Sequence, residues 1–288
     1  MREERRAVAR RGIPFRALVP NAVTVLALCF GLTGVYFAVS AVKGDVDDWE
    51  KAIAMIVVAG VLDGLDGRIA RLLKAQTRFG AELDSLSDVI AFGVSPAIIL
   101  YLWSLQDLPR LGWIFALAHA VCCALRLARF NANIDVEDQP HKSAGFMTGV
   151  PAPAGAGLLL LPLYLWQATG ETFFARPFVT APWAGLVAFL MISNIATFSW
   201  SSLRIRRQAR LGMLAAIALI GAALFVAPWQ TLSVVALLYL AMIPFSIASY
   251  GRVRKLRANA AAPPAEAAVP ASPVPAAPPG SGAHPPAP

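Results

Sequence analysis

Apolar residues run along this chain in long unbroken blocks, without the alternation of a half-buried strand or the narrow stripe of a surface helix. A helix needs about 20 apolar residues to cross a bilayer. Eight blocks meet or approach that length: 17–42, 52–72, 86–105, 111–130, 149–168, 180–200, 210–227 and 231–250. Only the turn at Pro228-Trp229-Gln230 parts the last two, which predicts a helical hairpin there. The expected architecture is all-α: a polytopic integral membrane bundle of about eight transmembrane helices.

Composition agrees. Of the 288 residues, 57% are hydrophobic and 15% charged, against roughly 45–50% and about 25% in soluble domains. A soluble globule, a collagen-like chain, a disulfide scaffold and a wholly disordered chain are excluded on that basis. The net charge of +8 does not point to nucleic acid, because the basic residues lie between the apolar blocks, where a membrane surface attracts them. With eight spans and an inside N-terminus, 21 of the 25 Lys and Arg fall on the cytoplasmic side, leaving Lys43, Lys51, Arg110 and Arg176 opposite. Both termini are therefore expected in the cytoplasm. The domain reading is a basic arm over 1–16 with no signal-peptide pattern, a membrane domain over 17–250, and a basic stop leading into a disordered Ala/Pro-rich tail over 251–288. Cys29, Cys122 and Cys123 sit in apolar runs and have neither zinc nor disulfide spacing.

Carboxylates inside such spans cost about 2.5–3.5 kcal/mol each to insert, and so mark functional sites. The second block ends with Asp63 and Asp66, three apart on one helix face. The third opens with Asp84 and Asp88, four apart on one face. The connection around residues 74–79 is short, so the two helices are expected to be antiparallel neighbours that bring four carboxylates to one point near the cytoplasmic interface. Four aspartates repel unless cations sit among them, and all-oxygen ligands select Mg²⁺ or Mn²⁺. Two such ions suit phosphoryl transfer. Gly64 and Gly67 clear space beside the carboxylates, and Arg71 is placed to contact phosphate.

These residues spell D-x-x-D-G-x-x-A-R-x8-G-x-x-x-D-x-x-x-D, through Asp63, Asp66, Gly67, Ala70, Arg71, Gly80, Asp84 and Asp88. In this the sequence resembles the CDP-alcohol phosphatidyltransferase family, and the multi-span pattern extends the resemblance over most of 14–250. The resemblance implies a membrane enzyme that transfers a phosphatidyl group from CDP-diacylglycerol to an alcohol and releases CMP. It implies that Asp63 and Asp84 bridge two divalent ions, that Asp66 holds one and Asp88 the other, and that Asp88 is the general base. It further implies nucleotide-lipid contacts from Gly67, Arg71, Thr77 and Gly80, with a weaker match at Asn21 and Thr24, where helix capping by Asn21 accounts for the pattern equally well. A homodimer with its active site facing the cytoplasm is typical of the family.

Other segments resemble the family's phosphatidylserine synthase branch: Ile13-Pro14 through Pro20-Asn21, residues 89–97, Arg126-Leu127-Ala128-Arg129-Phe130-Asn131, and residues 149–154, with Gly155 where the branch has Ala. That branch implies L-serine as acceptor. Serine is a zwitterion whose carboxylate needs a cation, and Arg126, Arg129, Asn131 and Lys142 are the expected acceptor cluster, holding the serine carboxylate or the lipid-side phosphate; for the arginines the competing reading is anchors at the headgroups. Glycerol phosphate or inositol phosphate calls for more cationic residues than these, and choline for an aromatic cage. A divalent-cation transporter is the alternative from another class. It places its acids near mid-membrane on several helices, often in repeated halves, and here they cluster on two helix ends. His119 is expected as a core residue, without metal-ligand spacing.

Overall fold

The computed structural model describes residues 15–108, 110–132, 146–193, 196–198 and 209–261. It is helical apart from one small ribbon. Helices α1 (Phe15–Val42) and α2 (Asp48–Leu72) are followed by α3 (Arg78–Asp88), which runs through a π-helical turn (Val89–Val94) into α4 (Ser95–Trp103). Then come α5 (Leu111–Ala132), α6 (Ala152–Leu159), α7 (Leu161–Thr169), α8 (Pro177–Ile192), α9 (Ala209–Val226) and α10 (Pro228–Ala261). Strand β1 (Phe146–Thr148) pairs antiparallel with β2 (Ala196–Phe198), Phe146 opposite Phe198. The chain divides into Met1–Tyr250, which holds the bundle, and Gly251–Pro288. The Ala/Pro-rich stretch beyond Ala261 and the basic arm lie outside the described residues.

Each of the eight apolar blocks contains helix, but among the described residues four helices are long and apolar enough to cross a membrane: Arg16–Val42, Arg78–Trp103, Leu111–Ala132 and Pro228–Ser246. The others fall short for identifiable reasons. Helix α2 has the length but carries the site's charges at its end. The 149–168 block breaks at Leu160, just before Pro162 in the first turn of α7. Helix α8 stops at Ile192, short of residue 200. The 86–105 block also differs from the expected boundaries, being the rear of a continuous helix that starts at Arg78. Asp84 and Asp88 thus occupy the opening turns of a membrane-crossing helix.

Small residues set the packing. Helix α1 lies along α2 as the most extensive helix pair and also packs on α3, the π-turn and α4, while α5 packs on α8. A Cβ on Gly31 would sit 2.8 Å from the Ala91 Cα, so α1 meets the π-turn almost backbone to backbone. The core gathers Ile53, Phe92, Ile99, Leu100, Leu158, Leu163 and Met191. His119 is fully buried, its Nε2 3.2 Å from the Phe92 carbonyl oxygen inside the π-turn, as a core histidine should be. At the far end of α2, before its apolar run, the Lys51 ammonium hydrogen-bonds Asp48 and holds that carboxyl below the usual carboxylate range.

Candidate active site

The site begins with the way α2 stops. Lys74 adopts φ +49°, and the Ala75 N–H donates to the Ala70 carbonyl (2.9 Å) while the Lys74 N–H donates to that of Arg71 (3.2 Å). This pair of bonds is the Schellman arrangement, here closed by a lysine in the place glycine favours. Three residues later Thr77 caps α3, its hydroxyl accepting from the Gly80 N–H at 3.0 Å. Five residues, Leu73 to Thr77, thus separate the acidic end of α2 from the acidic start of α3.

Across that turn, carboxylate oxygens of Asp63, Asp66 and Asp84 lie within 4.8 Å of one another. Asp88 is in hydrogen-bond contact with Asp63, a closeness two carboxylates tolerate only with a proton or cation between them. All four signature acids are therefore together. The expected antiparallel pair is modified in one respect: α2 and α3 make little direct backbone contact, and α1 packs against both. Their carboxylates bridge the gap.

Helix α1 also fixes one ligand. The Thr24 hydroxyl lies 2.7 Å from Asp66 Oδ2 and 3.1 Å from the Pro20 carbonyl; it has one proton to give, and the shorter contact is the carboxylate. Ser87 of α3 donates in turn to the Thr24 carbonyl at 3.2 Å. Asp66 and Thr24 are both buried. An all-oxygen set of three carboxylates, one oriented by a hydroxyl and a fourth alongside, fits a hard divalent cation such as Mg²⁺ or Mn²⁺.

Beside the carboxylates opens a cavity of about 230 Å³, lined by Pro20, Asn21 and Thr24 of α1, Asp66, Gly67 and Ala70 of α2, Ala75, Gln76 and Thr77 of the turn, and Gly80, Ala81 and Asp84 of α3. Gly80 is required by close approach: a Cβ there would lie 2.8 Å from Asn21 Oδ1 and 3.1 Å from Thr77 Oγ1. At Gly64 and Gly67 a Cβ would meet nothing within 4 Å, so glycine there leaves room and satisfies no packing demand.

Of the residues expected at the nucleotide lipid, Asn21, Thr24, Gly67, Thr77 and Gly80 line this cavity and Arg71 does not. The Arg71 Nε–H donates to the Gly67 carbonyl at 3.0 Å on the exposed side. Three members of the expected acceptor cluster, Arg126, Arg129 and Asn131, lie on the last turns of α5. Arg129 donates to the Ile192 carbonyl at the end of α8 (3.2 Å), and Asn131 donates to the Ser85 hydroxyl (2.9 Å). Arg126 is the member that feels the charge of Asp88. Lys142 lies outside the described residues. Ser87 was not singled out in the sequence; a polar group inside an apolar helix was the available signal.

The chain is similar to known proteins along most of its length. The family described as CDP-alcohol phosphatidyltransferase matches residues 17–200, and that described as CDP-alcohol phosphatidyltransferase 2 matches 208–244. The CDP-diacylglycerol–serine O-phosphatidyltransferase of Mycobacterium tuberculosis is 39% identical over 240 residues, covering 83% of this chain and 81% of its own. The protein of the same name from Helicobacter pylori is 33% identical over 229 residues, covering 77% and 88%. With the signature acids gathered as described and a family match over most of the bundle, the chain belongs to the CDP-alcohol phosphatidyltransferase family.

Proposed function

We propose that this protein transfers the phosphatidyl group of CDP-diacylglycerol to the hydroxyl of L-serine, giving phosphatidylserine and CMP. The observation that carries the reading is the convergence of Asp63, Asp66, Asp84 and Asp88 beside a cavity that Gly67 leaves open. The acceptor is supported by the names of the relatives from M. tuberculosis and H. pylori.

Asp63, Asp66 and Asp84, with Asp88, would hold two divalent ions, Mg²⁺ or Mn²⁺. When bound, these supply positive charge that neutralises the diphosphate and the departing CMP. The chain's own groups do the rest. Thr24 holds the Asp66 carboxylate in place. Gly67, Thr77 and Asn21 shape the cavity for the cytidine diphosphate, and Arg71 stands at its exposed edge for phosphate. Asp88 takes the serine hydroxyl proton onto a carboxylate oxygen as the serine oxygen bonds to phosphorus and the bond to the CMP oxygen breaks. Acyl chains must stay in the bilayer, which is why a phosphoryl-transfer site sits at helix ends. We place that site on the cytoplasmic face of an eight-span homodimer with both termini inside. The 21-to-4 partition of Lys and Arg supports the orientation, and the family resemblance supports the pairing. The domain division into a 1–16 arm, a 17–250 catalytic bundle and a 251–288 tail belongs to the same reading.

The test is purified protein in detergent with CDP-diacylglycerol, Mg²⁺ or Mn²⁺, and a panel of serine, glycerol phosphate, inositol phosphate and choline. Products are separated by headgroup, with a chelator control. Metal-dependent phosphatidylserine is expected; conversion of another alcohol in preference to serine would overturn the acceptor assignment.

A further inference from the structure

A second cavity, about 220 Å³, lies one helical turn from the carboxylates. Its walls include Gly60, one turn before Asp63 on α2, and Phe92, one turn beyond Asp88, closed by Tyr239 of α10. The lining is apolar except where it borders the site. The Tyr239 hydroxyl in this lining is buried with no hydrogen-bond partner among the described residues, and so is the Arg126 Nε on α5, outside the lining. The π-turn after Asp88 packs on α5, a Cβ on Gly93 falling 3.0 Å from Cys123 Cβ, one turn before Arg126, and Arg126 feels the charge of both Asp88 and Tyr239 of α10.

Buried donors without acceptors are uncommon in folded proteins, and each costs the full desolvation of its N–H or O–H. Here two occur on groups that influence one another electrostatically, one of them also sensing the carboxylate assigned as base. An apolar guest would leave both unmet, and an ammonium group would be repelled by the guanidinium. A carboxylate oxygen satisfies both, since guanidinium and phenol donors match it in charge and hydrogen-bonding sense.

We propose that Tyr239, together with Arg126, binds the carboxylate of the acceptor amino acid, holding its hydroxyl toward Asp88, and that Tyr239 is thereby a specificity-determining residue contributed by the last helix. This rests on serine being the acceptor. Helix α10 presents Ser233, Ala236 and Ile243 inward on the same stripe as Tyr239, with Val234, Leu237 and Leu238 outward, so its seating on the bundle sets the position of the phenol.

Tyr239→Phe tests the assignment, because it removes one oxygen and keeps the ring that closes the cavity. The KM for L-serine is expected to rise about tenfold or more, with the KM for CDP-diacylglycerol within about twofold. Without serine, the variant should melt at or above the wild-type temperature, since an unmet buried hydroxyl has gone; the upward shift in melting temperature that serine gives the wild-type protein should be lost. Tyr239→Trp, which retains an N–H donor in a larger ring, is the second variant, and partial recovery of the serine shift is expected. An unchanged serine KM in Tyr239→Phe, or equal rises for both substrates, would overturn the role of Tyr239 while wild-type serine turnover stands. Wild-type protein that does not use serine would instead overturn the acceptor reading, and this pocket with it.

Discussion

Asp66 shows how little of a site residue's behaviour is its own. Its carboxylate is held by Thr24 from a helix more than 40 residues away in sequence, and Thr24 is held in turn by Ser87 through its carbonyl. Partners that orient a metal ligand typically account for 10–100-fold in metal affinity. Thr24→Val keeps the shape and removes the donor, so the Mg²⁺ or Mn²⁺ concentration for half-maximal activity should rise by about tenfold or more; a metal titration of initial rates checks this. Asp88 differs in that the role proposed for it is proton transfer. Asp88→Asn keeps the volume but cannot take a proton, and turnover should fall by about 10²–10⁴ while CDP-diacylglycerol binding stays measurable. Single-turnover assays beside a lipid-binding titration separate the two effects.

The helices contribute termini and breaks as much as length. The α2 stop relies on Lys74 in the left-handed region, where an L side chain is disfavoured by roughly 1–2 kcal/mol. Lys74→Gly removes that conflict, and the gain is partly offset by the freedom glycine has in the unfolded chain. A rise in melting temperature with unchanged KM for CDP-diacylglycerol is expected, read by thermal unfolding in detergent. The π-turn directly after Asp88 offsets the helix register, and His119 meets the Phe92 carbonyl within it. Hydrophobic pattern made the blocks legible, because a stretch of apolar residues is helical in lipid wherever it packs. It could not show that the third block begins at Arg78, because Glu82, Asp84 and Asp88 lower the local hydropathy that marks a span. The π-turn was equally hidden, whereas the break at Leu160 has its signal in Pro162.

At the scale of the whole molecule, apolar side chains cover the outside as well as the core: Leu18, Val25 and Leu32 of α1 and Leu214 and Ile217 of α9 are exposed. Lipid is the solvent that accepts such a surface. The proposed eight-span topology can be read directly with a membrane-impermeant thiol reagent on intact cells. Lys43→Cys should label, and Arg2→Cys and Asn259→Cys should not until the membrane is opened. Labelling of either terminus in intact cells would reverse the orientation.

By itself the sequence determined the solvent, the helical class and the four carboxylates, because hydropathy and the cost of buried charge are local properties that residue type and spacing carry. It determined the family for the same reason, since the signature packs eight fixed positions into 26 residues. What only the tertiary structure decided was which polar groups meet. Arg129 and Asn131 meet partners on α8 and α3 that spacing could not reveal, and the Thr24 hydroxyl of the first helix reaches the Asp66 carboxylate. Long-range contact depends on how helices cross, and that is set by where glycines and alanines let backbones close together, as Gly31 does on Ala91.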